Sequence, residues 1–250
     1  GETGGKNFHF VHKSANQDVV VTQCIRAAFE YQGQKCSALS RLYVPKSMWH
    51  GGLKEKLIER TMSLNVGPVQ DFKNFVGPVI AKHSFDKIMG LIEEAKAEGG
   101  SVLVGGYGDD TKGYYVQPTI IETHDPRSVT MVKEIFGPVI TVFAYPDDEV
   151  DETCALVDST TEYALTGSIF ASERHALLHI SNLLRNASGM MYYNDKCTGA
   201  VVGQQPFGGG RASGTNDKAG SMNIFFRFVS PRTIKESMLD PATHLYPSNM

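Results

Sequence analysis

The sequence predicts an α/β fold, an open sheet flanked by helices. Three observations carry that prediction. Strand and helix patterns alternate along the chain. The 250 residues are 41% hydrophobic and 20% charged, an ordinary globular make-up with enough chain for a sizeable core. Finally, apolar runs are short, and none approaches the ~20 residues of a membrane helix.

The elements follow in order. NFHFVHK (7–13) alternates as a strand. Ser14 and Asn16 are candidate caps for a helix over 17–32. Its apolar stripe is Val20, Val21, Cys24, Ile25, Ala28 and Phe29, and Gly33 ends it. SRLYVP (40–45) reads as a strand, and a charged helix is expected over 47–63. Two Gly-Pro pairs, at 67–68 and 77–78, mark a loop. Ser84 is the expected cap of the next helix, with Phe85, Ile88, Ile92 and Ala95 inward and Gly99-Gly100 as its stop. Strands are expected at 101–106, 116–121 and 139–145, a helix at 148–159, then the strand LTGSIFA, a helix at 173–185 and a strand at 189–194. Residues 198–220 are loop-like and glycine-rich, and NIFFRFVSP (223–231) is apolar enough to pair as a strand with another chain or domain. This divides the chain into a main domain, 1–221, and a bridging or oligomerisation segment, 222–250.

Composition removes several function classes. A net charge of -3 gives no footprint for nucleic acid or an anionic membrane. The four cysteines, Cys24, Cys36, Cys154 and Cys197, lie far apart without metal-ligand spacing, so free thiols are expected and no metal site. The start GETGGKN has no initiator Met and no leader pattern, and reads as the start of a piece of something longer.

Four stretches could carry chemistry. Cys36, in GQKCSA, sits in a short link where free backbone amides could stabilise an oxyanion on a carbonyl that its thiolate attacks. On local sequence alone the favoured reading is a small buried thiol, as for Cys24 on its helix stripe. Glu2, between glycines, is either a solvated charge or a general base for water. Glu134, in EIFGPV, is either a strand-edge charge or a carboxylate for sugar hydroxyls. PFGGGRASGT (206–215) could turn amides onto an anion or be a plain loop.

Taken together and in order, GETGGKN, GQKCSA, EIFGPV and PFGGGRASGTN resemble the aldehyde dehydrogenase superfamily. AFEYQGQKCSALSRLYVP, VGQQPFGGGRASGTNDKAG and FRFVSPRTIKE point within it to the branch that oxidises L-glutamate γ-semialdehyde. The resemblance runs from Gly1 to about Ser237. It implies an open-sheet catalytic domain with an oligomerisation strand. It implies that Cys36 is the nucleophile, that Glu2 activates water, and that Glu134 and Phe136 hold the nicotinamide ribose of NAD. It implies that Ser37, Gly199 and Ala200 grip the substrate carboxylate while Phe207 packs on its aliphatic chain. Ala200 is Ser in similar chains, a change that leaves the backbone donors in place. The implied activity is NAD-dependent oxidation of the semialdehyde to L-glutamate in proline breakdown, through a thiohemiacetal and a thioester.

The resemblance further implies that this chain is the C-terminal half of such an enzyme, with most of the Rossmann portion before GETGG. Further implications are a small aldehyde as partner, no nucleic acid, no membrane span, a homo-oligomer formed through 222–231, and a mitochondrial matrix location if the source is eukaryotic, cytoplasmic otherwise. Two other readings stay open: another semialdehyde dehydrogenase, or a non-catalytic chain that only binds or assembles.

Overall fold

The structure is a computed structural model, and it describes residues 1–239 and 241–250. Its strands and helices come in the expected alternation. β1 (Asn7–Val11) leads to α1 (Gln17–Phe29), whose cap is Asn16: its side chain accepts from the amides of Asp18 and Val19. A 3₁₀ turn, Glu30–Gly33, follows and delivers the chain to β2 (Leu39–Pro45).

The charged helix expected over 47–63 is interrupted. A helical turn α2 (Lys46–Met48) passes through a π-helical stretch, Trp49–Leu53, before α3 (Lys54–Met62). The cause is the Gly51-Gly52 pair, with Gly52 at φ 109, which breaks the α-helical ladder. The next helix, α4 (Lys82–Ala97), begins before Ser84; Ala81 stands at its N-cap without a side-chain cap, and Ser84 lies inside the first turn. An i,i+4 ion pair between Lys82 and Asp86, at 2.8 Å, supports that earlier start.

The chain continues through β3 (Ser101–Val104), the short antiparallel pair β4 (Gly108–Asp109) and β5 (Tyr115–Val116), and β6 (Thr119–Thr123). A short helix α5 (Val129–Val132) precedes β7 (Val139–Tyr145). Then come α6 (Val150–Ser159), β8 (Tyr163–Ala164), β9 (Thr166–Phe170), α7 (Arg174–Leu183), β10 (Met190–Tyr193) and β11 (Gly210–Arg211).

Seven strands form one sheet in the order β10-β9-β1-β2-β7-β6-β3. Every pairing is parallel except β3 with β6. The side-chain period of two divides the central strands between two cores. Val11, Leu42 and Val44 join α1 and α3 on one face; Phe8, Phe10, Tyr43 and Ile169 join α6 and α7 on the other. A third core packs Ile88, Leu91, Ile92 and Ala95 of α4 against Ile121 and Val139.

Residues 223–231 depart from the expected strand. Met222–Arg227 is a 3₁₀ helix with no buried residue, and Phe225, Phe226 and Phe228 are 64%, 68% and 79% exposed. A strand needs a neighbouring edge for its N–H and C=O groups, and within this chain the segment meets none among the described residues. Nor is any described helix long and apolar enough to cross a membrane.

Candidate active site

The amino ends of the central parallel strands hold the site. Glu2 precedes β1, Cys36 and Ser37 precede β2, and Glu134 and Phe136 precede β7. A cleft of about 810 Å³ opens there, and Glu2, Cys36, Ser37, Glu134, Phe136, Gly199, Ala200 and Phe207 all line it. Doubly wound sheets usually place their ligands at the carboxyl ends of the strands; this cleft uses the opposite end.

Local contacts explain why each group arrives there. Asn7, the first residue of β1, donates through Nδ2 to the carbonyls of Cys36 at 2.8 Å and Ala38 at 2.7 Å. Its Oδ1 accepts from the Thr166 amide at 3.1 Å, so one buried side chain pins the Cys36 turn between β1 and β9. Gly5 allows this approach: a Cβ there would collide with the Cys36 carbonyl oxygen. Gly33, at φ +64, lets the same turn lie against the Gly137 carbonyl beside Phe136. Phe136 itself holds φ 58, a strained backbone for a bulky residue that turns its ring to the cleft wall.

Glu2 is placed by the glycine-rich loop. An antiparallel bridge joins Glu2 to Gly214, and the Thr3 amide donates to the Ser213 carbonyl at 3.0 Å. Of PFGGGRASGT, Phe207 lines the cleft, whereas glycines 208, 209 and 210 do not, and the stretch is not a free loop. It pairs with β8 through β11 and carries the N-terminal segment into position. A Cβ on Gly209 would strike the Ala164 carbonyl at 2.6 Å.

The electrostatics around Cys36 are specific. Its thiol is half-buried and pushed up to about 11, first by burial, then by the charge of Glu2 and the hydrogen bond that carboxylate accepts, with Glu134 adding to it. The Ser37 amide acts the other way by donating to the sulfur. Both influences of Glu2 favour the protonated thiol over the thiolate. Glu134 is oriented in turn: Gly5 N–H donates to its Oε1 at 2.9 Å, and Lys87 Nζ donates to its carbonyl at 2.9 Å.

Beside Cys36 the Ser37 and Thr198 hydroxyls lie 2.7 Å apart. Gly199, at φ 85, turns the backbone beyond them. Phe207 pairs with Ala219 through two backbone bonds of 2.9 and 2.7 Å, which fixes its ring at the cleft. Sequence reasoning missed Thr198 and Asn7. Thr198 stood beside Gly199 in TGAVVG, and Asn7 closed the quoted GETGGKN, yet neither shows a pattern that distinguishes it from an ordinary strand or loop residue. No cluster of three metal-ligating side chains occurs among the described residues.

Comparison with known proteins decides the family. Residues 1–234 match the family described as "Aldehyde dehydrogenase family". The chain belongs to that family. Among similar proteins, the Delta-1-pyrroline-5-carboxylate dehydrogenase of Agaricus bisporus is 58% identical over 250 residues, covering 100% of this chain and 46% of that relative. The probable delta-1-pyrroline-5-carboxylate dehydrogenase of Schizosaccharomyces pombe is 55% identical over 251 residues. The crystal structure of the Delta-pyrroline-5-carboxylate dehydrogenase from Mycobacterium tuberculosis bound with NAD and cobalamin superposes with a TM-score of 0.87 at 44% identity, covering 99% of this chain and 46% of that one. This chain thus spans about half the length of the curated relatives it matches. The α/β open sheet expected from the sequence is the fold of these family members.

Proposed function

We propose that this chain carries the catalytic centre of an NAD-dependent dehydrogenase that oxidises L-glutamate γ-semialdehyde to L-glutamate in proline catabolism. The observation that supports the reading is the convergence of Cys36, Glu2, Glu134, Phe136, Ser37, Gly199, Ala200 and Phe207, drawn from five separate stretches of sequence, on one cleft. The relatives' names, and the NAD-bound Mycobacterium tuberculosis structures, support the same substrate and cofactor.

Each side chain then has a role. Cys36 Sγ attacks the aldehyde carbon as its proton passes by way of Glu2 to solvent, which leaves Glu2 a carboxylate again, and the oxygen becomes an oxyanion in reach of the Cys36 amide. NAD, when bound, supplies the acceptor for the hydride that leaves this carbon. A thioester remains on Cys36. Glu2 then takes a proton from water, the water attacks the thioester carbon, and the acid leaves as the sulfur is released. Glu134 and Phe136 fit the ribose and nicotinamide end of the cofactor. With Oε1 engaged by Gly5, Glu134 keeps Oε2 for sugar hydroxyls, and Phe136 offers a ring face on the same wall.

Selectivity comes from the far wall. Backbone donors at Gly199 and Ala200, with the Ser37 hydroxyl, suit a carboxylate, and Phe207 suits the methylenes between it and the aldehyde. An uncharged aldehyde would leave those donors unpaired, which penalises it. The test is turnover by the full-length enzyme with NAD of three aldehydes: glutamate γ-semialdehyde, succinate semialdehyde and pentanal. The highest kcat/KM should belong to the first; equal or faster use of either of the others would overturn the substrate assignment.

Assembly and location extend the reading. The exposed apolar segment at 222–231 supports a homo-oligomer formed through it. Eukaryotic relatives, such as those of Dictyostelium discoideum and Bos taurus, are named mitochondrial, which supports a mitochondrial enzyme if the source is eukaryotic. Import of the tagged full-length protein into isolated mitochondria would check this, and exclusion from them would refute it.

A further inference from the structure

We propose that Thr198 is a positioning residue for substrate recognition: it donates to Ser37 Oγ and so turns the Ser37 proton toward the carboxylate of the substrate. The inference rests on the reading of the cleft given above and adds a residue to it.

The argument is one of proton bookkeeping. The Ser37 and Thr198 hydroxyls are 2.7 Å apart, and their residues are 6% and 2% exposed. Each oxygen carries one proton. One proton is used between them, and neither hydroxyl has a second protein partner among the described residues. One proton is therefore left over, and both residues line the cleft. A buried hydroxyl without an acceptor is costly, so the pair is built to donate to something the cleft receives. An anion beside the Gly199 and Ala200 amides would supply the acceptor. It draws the Ser37 proton outward, and Thr198 then completes the chain by donating to Ser37.

Thr198 is held rigidly enough for this. The Cys197 amide donates to His9 Nε2 at 3.3 Å, and the Cys197 thiol donates to the Ser37 carbonyl at 3.4 Å. The Thr166 hydroxyl donates to that same carbonyl at 3.4 Å. Residues 197 and 198 are thus clasped to the turn that bears the nucleophile. The aldehyde end and the carboxylate end of the substrate are measured from one frame.

The experiment uses the full-length enzyme and compares kcat and KM for glutamate γ-semialdehyde and for pentanal. In Thr198→Val the ratio of the two kcat/KM values should fall about tenfold, the upper scale of one net hydrogen bond, and the loss should appear in KM for the anionic aldehyde. Thr198→Ser, which keeps the hydroxyl, should hold the ratio within about twofold of wild type. In a Ser37→Ala background, Thr198→Val should cost no further discrimination, since the group it positions is gone. A wild-type enzyme with no preference for the anionic aldehyde would overturn the reading of the cleft, and this inference with it. A discriminating wild type whose Thr198→Val variant discriminates equally well would overturn this inference alone. So would a full additive loss in the Ser37→Ala background.

Discussion

At Cys36 two demands oppose each other. The proposed role needs a thiolate, yet burial and the Glu2 carboxylate raise the thiol to about 11. Burial and the Glu2 charge both favour the thiol over the thiolate, so its proton has to leave before or during attack. This separates two effects of one substitution. Glu2→Gln removes the negative charge that opposes thiolate formation, so iodoacetamide should label Cys36 several-fold faster at pH 8 in this variant. The same variant should lose nearly all turnover, because water activation is gone. Slower labelling in Glu2→Gln would contradict the electrostatic account. Cys36, Glu2 and Glu134, which line one cleft, could be picked out in the sequence because each sits in a recognisable short motif. Thr198 and Asn7 were not, because a hydroxyl and an amide gain their roles only from partners far along the chain, such as Ser37 and Thr166.

Among the elements, β1 links core and site most directly. Its Asn7 fixes the Cys36 turn, and its His9 lies buried between Cys24, 3.4 Å from Nδ1, and the Cys197 amide. Nε2 accepts from that amide, so Nδ1 carries the ring proton and donates to the Cys24 sulfur. Burial lowers His9 to about 3, well under its ordinary 6.5. The unfolded chain therefore binds a proton near pH 6.5 that the folded chain refuses until about pH 3. Stability should hold above that upper value and fall through the window between them, by about 1.4 kcal/mol per pH unit. Thermal melts of wild type and His9→Gln from pH 7 to pH 4 check this. The variant should lose less of its Tm on acidification; parallel curves would show that His9 is not the group responsible. Secondary structure was largely legible at this scale, since β1 alternates, β2 and β7 are short apolar runs, and α1 carries a 3.6-residue stripe. The misses have physical causes. Gly51-Gly52 unwinds a helix whose charge pattern is continuous, and α4 starts ahead of the residue best suited to cap it. The short pairs β4–β5 and β8–β11 are too brief to show a period.

Across the whole molecule, the sheet brings the amino ends of β1, β2 and β7 together and the cleft forms where they meet. The exposed phenylalanines of 222–231 lie outside all three cores. An apolar surface of this kind seeks a partner, and self-association through it is the reading offered above. Sedimentation velocity of the full-length protein should show a defined oligomer that Phe226→Asp weakens. A wild-type monomer at micromolar concentration would refute that assignment. The apolar character of this segment was plain in the sequence; its 3₁₀ conformation was not, because a strand is a property of a pair. The central claim, however, is covalent: Cys36 holds the substrate as a thioester until Glu2 delivers water. The direct measurement is peptide mass mapping of full-length Glu2→Gln enzyme quenched during turnover with NAD and glutamate γ-semialdehyde. An acyl adduct on the peptide containing Cys36, absent from Cys36→Ala, is the expected result. An unmodified Cys36, or continued turnover by Cys36→Ala, would contradict the account.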